Sequence, residues 1–356
     1  MINTIITGSG HYLPEQKVAN NDFLEHVFYD TEGVKIDKNN LEIVNKLNEI
    51  TGISERRYAK DEHQASDLAY FAAERAIADA GVDPETLDYI IVGHNFGDVK
   101  KGSNRVDIMP SLASRVKHRL QIKNPYCVCY DIAFGCPGWV QAMIQAHFYL
   151  KSGEANKVMV IGAETLSRVV DPHDRDSMIY ADGAGATILE AKEETTPRGI
   201  LAHATRTDTL EEAYYLWNGH SYNAEACQQQ KYIKMHGRKL YKYAVKNVPS
   251  LVKRCIEKAD LNVTDINKVL IHQANEKMDE GIIRSFFRLY GIRQVPEKVM
   301  PMCIEKMGNN SVATVPVLYD KIKRGELADH TIETGNHVVF SSVGAGMNVS
   351  AFVYKV

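Results

Sequence analysis

The sequence predicts an α/β fold made of two similar halves, and three observations carry that prediction. Short apolar runs of strand length alternate with helical patterns along the chain of 356 residues. Arg75-Ala-Ile-Ala-Asp-Ala-Gly-Val82 through Leu87-Asp-Tyr-Ile-Ile-Val92 lines up without a gap against Arg254-Cys-Ile-Glu-Lys-Ala-Asp-Leu261 through Ile266-Asn-Lys-Val-Leu-Ile271. Gly183-Ala-Gly185 and the apolar run after it are echoed, in the same order, by Gly344-Ala-Gly346 and the run ending at Val353. Two repeated units in register divide the chain into an N-terminal half, 1–195, and a C-terminal half, 196–356.

Taken in order, Ile2 to Thr7 is a strand, followed by a turn rich in glycine up to Pro14. Residues 21–50 are charged and predicted to be helical. Asp67 to Ala80 is a helix with Ser66 as its N-cap, and Gly81 ends it. Leu87 to Val92 is a buried strand, 95–104 a polar loop, and Met109 to Leu120 a helix. The stretch from Tyr126 to Leu150 reads as strand, tight turn and helix, with Cys136 at the turn, Pro137 in the first helical turn and Gly153 as the stop. Val140, Met143, Ile144, His147 and Phe148 fall on one predicted helix face. Lys157 to Gly162 is the next strand, and the repeat carries the same pattern into the second half.

The turn at Cys136 sets a thiol where free N–H groups and the positive end of a helix dipole converge, an arrangement that lowers a cysteine pKa. Cys136 is therefore a candidate nucleophile, with a thiol pKa expected below the ordinary value. The second-half strand runs directly into His272-Gln-Ala-Asn275, where the first half has Gly93-His-Asn-Phe, so the halves diverge at the carboxyl end of a strand, the usual ligand site of α/β sheets. Met307-Gly-Asn-Asn-Ser-Val312 is a Gly-Asn turn before an apolar segment.

Composition excludes several classes. A net charge of −3 with scattered Lys and Arg leaves no footprint for nucleic acid. No run of about 18 apolar residues exists to span a membrane, so a soluble, cytoplasmic protein is expected. Six cysteines without paired CxxC motifs argue against a disulfide scaffold and against zinc, and no metal site is expected. Cys127 and Cys129 alternate around Val128 and read as small core side chains on one strand face.

The motifs in sequence order are Thr51-Gly-Ile-Ser-Glu-Arg-Arg57, Asp131-Ile-Ala-Phe-Gly-Cys136, Asp171-Pro-His-Asp-Arg175, Asp182-Gly-Ala-Gly-Ala186, His272-Gln-Ala-Asn275, Gly308-Asn-Asn-Ser311 and Gly344-Ala-Gly346. Together they resemble the 3-oxoacyl-[acyl-carrier-protein] synthase III family, the condensing branch of the thiolase-fold enzymes, over nearly the whole chain. The resemblance implies two βαβαβαββ halves in a five-layered α-β-α-β-α arrangement, and a homodimer. It implies a decarboxylative Claisen condensation between an acyl group on Cys136 and a malonyl thioester, with His272 and Asn309 stabilising the enolate. The backbone N–H groups of Cys136 and Ala345 would form the oxyanion hole, and Gly344 and Gly346 would let the backbone approach the substrate. Arg175 would lie against the adenine of coenzyme A, Lys277 would face an acyl carrier protein, and Asn275 and Met109 would complete the substrate contacts, Met109 standing where relatives have a phenylalanine that reaches the partner subunit. Substrates ride on coenzyme A or the carrier protein, and no other cofactor is implied.

The chain departs from the family pattern where a tryptophan and an arginine grip the nucleotide, for Lys46 and Ile50 stand there. The segments around 27–48 and from Asp208 to Lys231 also depart from a compact housekeeping enzyme. Two alternatives stay open at this point: condensation of two preformed acyl or β-ketoacyl thioesters in specialised lipid or polyketide synthesis, and a non-catalytic thioester-binding partner of a larger synthase.

Overall fold

The computed structural model describes residues 1–227 and 229–356. The first half contains β1 (Ile2–Tyr12), α1 (Asn40–Thr51), α2 (Ala65–Ala80), β2 (Tyr89–His94), α3 (Leu112–Arg119), β3 (Val128–Ala133), α4 (Gly138–Ser152), β4 (Lys157–Thr165) and β5 (Asp182–Glu193). The second half contains β6 (Gly199–Thr207), α5 (Gly237–Lys258), β7 (Ile266–Ile271), α6 (Glu276–Arg288), α7 (Thr314–Lys323), β8 (His337–Gly344) and β9 (Asn348–Lys355).

The strands form a five-stranded sheet in the order β1-β5-β4-β2-β3 and a four-stranded sheet in the order β6-β9-β8-β7. In both, two antiparallel pairings lead into a parallel one: β4 with β2 in the first sheet, β8 with β7 in the second. The chain around Val299 runs beside β7, where the first sheet has β3, and the Val299 carbonyl accepts from the Val269 N–H at 2.8 Å.

Helices α2 and α3 cover the outer face of the first sheet through Leu68, Ala72, Leu112 and Val116, while α5 and α6 cover the outer face of the second through Val248, Val252, Ile282 and Phe286. Between the sheets lie α4 and α7. Trp139, Met143, Leu318 and Ile322 pack there with Val160 and Leu189 of one sheet and Val338, Phe340 and Phe352 of the other. Five layers, α-β-α-β-α, result.

Burial between two sheets explains where the one-face reading of α4 fails. Val140, Met143, Ile144 and His147 are buried as expected, but so are Gly138, Trp139, Ala142, Ala146 and Leu150, and Phe148 is 52% exposed. A helix inserted between two sheets is apolar nearly all round. Ser66 likewise does not cap α2. Its N–H and hydroxyl donate to Asp98 at 2.7 and 2.6 Å, and Gln64 takes the N-cap position instead, its N–H bonded to Asp67 at 2.8 Å. Gly81 does end the helix, at φ +62°. The helix expected from Met109 begins at Leu112, after Ser111 accepts from the Ser114 N–H.

Most of 21–50 is not helical. Asp30 accepts from the N–H groups of Glu32 and Val34 at 2.9 and 3.0 Å, and such local bonds compete with a helix. Regular helix begins at Asn40, with the Asn39 side chain accepting from Leu41 N–H at 2.8 Å. In the segment from Asp208 to Lys231, Leu216–Gly219 forms a strand paired antiparallel with Tyr232–Met235. Gln228, in that segment, lies outside the described residues. Lys234, 1% exposed, ties this hairpin down by ion pairs of 2.6 Å to Asp171 and 3.1 Å to Asp174.

Candidate active site

Three of the sequence motifs begin with an aspartate, and all three aspartates act as loop clamps. Asp131 accepts from the first N–H groups of α3, at Leu112 and Ala113, over 2.7 and 2.9 Å, and from His94 Nε2 at 3.1 Å. Asp182 accepts from Ala59 N–H and from the N–H and hydroxyl of Ser167 at 2.6–2.8 Å. Asp171 accepts from Ser221, Tyr222, His173 and Lys234. These charge-assisted bonds fix the loops around the carboxyl ends of the strands.

The elbow after β3 turns at Gly135, φ +68°, and runs through Cys136 and Pro137 into α4, as the sequence predicts. Against it lies the loop that joins β8 to β9. A Cβ on Gly135 would stand 3.0 Å from the Ala345 nitrogen, and one on Gly344 would stand 2.6 Å from the Cys136 nitrogen. Only glycine lets two backbones come this close, and the approach sets the backbone at Ala345 against the elbow at Cys136. Gly346 turns this loop at φ +73°.

His272 leaves the end of β7 with its N–H bonded to the Ser341 carbonyl at 3.0 Å. Asn309 comes from the turn after Gly308. Its N–H and carbonyl bond Ile179 and Ala181 at 2.8 and 2.9 Å, which pins the turn to the first half. Gly308 sits at φ +64°, where a Cβ would meet Arg56 at 2.8 Å.

Ser311 touches all three candidates. Its hydroxyl donates to Cys136 Sγ at 3.1 Å, its N–H donates to Asn309 Oδ1 at 2.9 Å, and its backbone lies near enough to the His272 ring to favour the protonated imidazole. Because Asn309 Oδ1 is engaged, the Nδ2 donor is the end left to face a ligand. His272 is buried with its Nδ1 unpartnered, and that burial pushes its pKa down to about 4 against the opposing Ser311 backbone. The imidazole is neutral at neutral pH.

The expected fall in the Cys136 pKa is not what the surroundings give. Burial pushes the thiol up to about 11, the Glu164 carboxyl adds to the rise, and the Ser311 hydroxyl and the amide of Cys136 itself oppose it. Removal of the sulfur from water is the largest of these influences. Glu164 is also missing from the sequence reading. It is 1% exposed, and burial pushes its pKa up to about 7. Its Oε1 accepts from the N–H and the Nδ2 of Asn95, and Asn95 Nδ2 also donates to Ser311 Oγ at 2.9 Å. A charge at the end of the apolar strand Val158 to Ala163 is the one sequence signal that could have marked it.

The other expected residues sit around rather than in this cluster. Arg175 is exposed, with Asp176 3.9 Å away. Asn275 caps α6, its Oδ1 accepting from Met278 N–H at 3.0 Å. Lys277 is exposed on the first turn of that helix, and Met109 stands 86% exposed. Lys46 is exposed and paired with Glu49 at 2.9 Å. Cys127 is buried and Cys129 half-buried, as the strand reading expects. Among the described residues no group of three or more His, Cys, Asp or Glu could hold a metal, and no helix is long and apolar enough to cross a membrane.

Residues 130–209 match the family model of 3-oxoacyl-[acyl-carrier-protein (ACP)] synthase III, and residues 256–356 match its C-terminal model. The beta-ketoacyl-[acyl-carrier-protein] synthase III of Ruegeria pomeroyi is 31% identical over 99% of this chain and 98% of its own. That of Staphylococcus aureus is 32% identical over 99% of both. The chain belongs to the 3-oxoacyl-[acyl-carrier-protein] synthase III family. The crystal structure of the Thermus thermophilus beta-ketoacyl synthase III has a TM-score of 0.79 with it, at 29% identity and 99% and 98% coverage. As a member of the synthase III family, the chain is a condensing acyltransferase with the thiolase fold.

Proposed function

We propose that this synthase III family member loads an acyl group from a thioester onto Cys136 and condenses it with a malonyl thioester. In the first step the Cys136 sulfur attacks the thioester carbonyl. The bond to the carrier sulfur breaks, and the proton given up by the Cys136 thiol ends on the departing carrier thiol. The N–H groups of Cys136 and Ala345 hold the oxyanion. In the second step CO2 leaves the malonyl group, His272 and Asn309 hydrogen-bond the enolate oxygen, and the enolate carbon attacks the acyl-enzyme. The carbon–carbon bond forms, and the sulfur leaves as thiolate to take up a proton. No base is needed for decarboxylation, and the thioester carriers are the only cofactors this chemistry requires.

The observation that supports this reading is the convergence of Cys136, His272 and Asn309 on Ser311, drawn from the ends of different strands and turns in both halves. The substrates are acyl thioesters of coenzyme A or of an acyl carrier protein, with Arg175 at the nucleotide and Lys277 at the carrier. Residues 1–195 and 196–356 are the two halves of the catalytic unit, which works in the cytoplasm. A homodimer is favoured by β3, an edge strand with Val128 48% exposed and Tyr126 84% exposed just before it, and by the exposed Val106, Ile108 and Met109. Intact-protein mass spectrometry after incubation with a panel of acyl thioesters tests the function. The acyl mass should appear on the wild type and not on Cys136→Ala, and labelling that survives the substitution would sink the assignment.

A further inference from the structure

The Ser311 hydroxyl donates to the Cys136 sulfur, and that side chain is the end of a longer chain of hydrogen bonds. Glu164 Oε1 accepts from Asn95 N–H and Nδ2, both at 2.5 Å, Asn95 Nδ2 donates to Ser311 Oγ at 2.9 Å, and Ser311 Oγ reaches Cys136 Sγ at 3.1 Å. The donor directions leave little freedom. An amide Nδ2 has two protons and no acceptor, so one goes to Glu164 and the other to Ser311. Ser311 Oγ is then an acceptor from Asn95, and its single proton is left for the sulfur.

We propose that Ser311 is a further catalytic residue of the acyl-loading step, its hydroxyl stabilising the Cys136 thiolate, with Asn95 and Glu164 as positioning residues that aim it. This inference rests on the reading of Cys136 as the nucleophile. Ser311 keeps its proton throughout and donates a hydrogen bond that strengthens as charge gathers on sulfur, a charge-assisted bond in a dry site. It holds the same charge when the sulfur leaves after condensation.

Two features set Ser311 apart from an incidental neighbour. Its backbone is in the left-handed region, φ +51°, uncommon and costly for serine, and it is held there by the bonds from its N–H to Asn309 and from Ala313 N–H to Asn310. The surroundings otherwise oppose a thiolate. The half-buried sulfur is largely withdrawn from water, Glu164 on β4 is a like charge, and the His272 ring is neutral. Tyr180, buried beside the 308–311 turn, is a neutral phenol kept so by burial and by the sulfur itself. Glu164 in turn faces His94, Asn95 and Asp182. Among these groups, the Ser311 hydroxyl and the Cys136 amide favour the charged sulfur.

The test is the rate of iodoacetamide alkylation of Cys136 in the full-length protein as a function of pH, read by intact mass. Ser311→Ala should slow alkylation about tenfold at a given pH, displacing the rate curve upward by about one pH unit. Ser311→Gly removes the hydroxyl while suiting the left-handed backbone, so it should slow alkylation equally and keep a native fold even where the alanine variant loses it. Asn95→Ala should act in the same direction. Glu164→Gln keeps an acceptor for Asn95 and removes the like charge, so it should speed alkylation. Ser311→Gly or Asn95→Ala with an undisplaced curve would overturn the proposal, as would Glu164→Gln slowing alkylation alongside them. A wild type whose Cys136 is not alkylated at any pH would instead overturn the nucleophile reading.

Discussion

Gly344 faces Cys136 so closely that a side chain at 344 would sit 2.6 Å from the Cys136 nitrogen and 2.7 Å from Pro137 Cδ. Its φ of −164° is open to any residue, so the requirement is space alone. Gly344→Ala must push the β8–β9 loop away from the elbow and separate the Cys136 and Ala345 N–H groups proposed as the oxyanion donors. Acyl loading, read by intact mass, should fall on the order of 10²–10³-fold, the usual effect of losing one such donor. An alanine variant that loads at the wild-type rate would remove Ala345 from the oxyanion hole.

Because burial pushes the Cys136 thiol up to about 11, the reactive thiolate is a small fraction at neutral pH and grows as pH rises. Alkylation of the wild type should therefore climb about tenfold per pH unit from 7 towards 10. A rate that levels off below pH 8 would mean that the helix terminus outweighs burial after all.

His272→Ala and Asn309→Ala should keep most self-acylation and lose about 10²–10³-fold in CO2 release from a malonyl thioester. The imidazole, with its pKa pushed down to about 4, keeps one protonation state from pH 6 to 8, so decarboxylation by the wild type should be flat there. CO2 release at the wild-type rate in either variant would favour condensation of two preformed thioesters.

Recognition at the mouth of the site should lean towards the carrier protein. Where the resemblance implies an aromatic and a cation for the nucleotide, Lys46 is exposed and paired with Glu49, and Ile50 is 38% exposed. Glu49 is held below the usual carboxylate range by Lys46 and, more weakly, by Lys277, so the two lysines share one rim. Loss of the stack costs about 1–2 kcal/mol, or roughly tenfold in coenzyme A affinity. Acyl carrier protein thioesters should outcompete matched coenzyme A thioesters at low salt, and Lys277→Glu should reduce that preference. Equal kcat/KM for both donors, unmoved by the substitution, would contradict this.

Glu164 carries a stability signature. Burial raises its pKa to about 7 in the folded protein from an ordinary value of 4.5, so the folded state binds the proton more tightly. Its contribution is fully present below pH 4.5 and is lost as pH rises through 7, a swing of about 3 kcal/mol. Glu164→Gln, which has no proton to lose, should be more stable relative to wild type at pH 8 than at pH 5, as measured by urea unfolding at both.

Much of this was legible in the sequence because it depends on local pattern. The strand Ile266–Ile271, the glycine stops at 81 and 153 and the turn at Cys136 each follow from neighbouring residues, and the paired echoes give the duplicated sheet order. What local pattern could not give is the set of bonds joining Asn95, Glu164 and Ser311, which come from three separate loops and strand ends. The same limit explains the thiol. A helix terminus can be read from Pro137 and its neighbours, whereas the depth of the sulfur depends on what the second half lays over it.

Trp139, three residues past Cys136, has its ring centre 5.9 Å from that of Phe340 and 6.1 Å from that of Phe352, both in the other sheet. The helix that aims the sulfur therefore takes its seating from strands encoded two hundred residues downstream. Repeated architecture usually suggests parts that can be exchanged or evolved one at a time, and here that freedom is gone. Drift in the aromatic layer of the second half moves the Cys136 sulfur of the first, so sequence change in either half is answerable to the other.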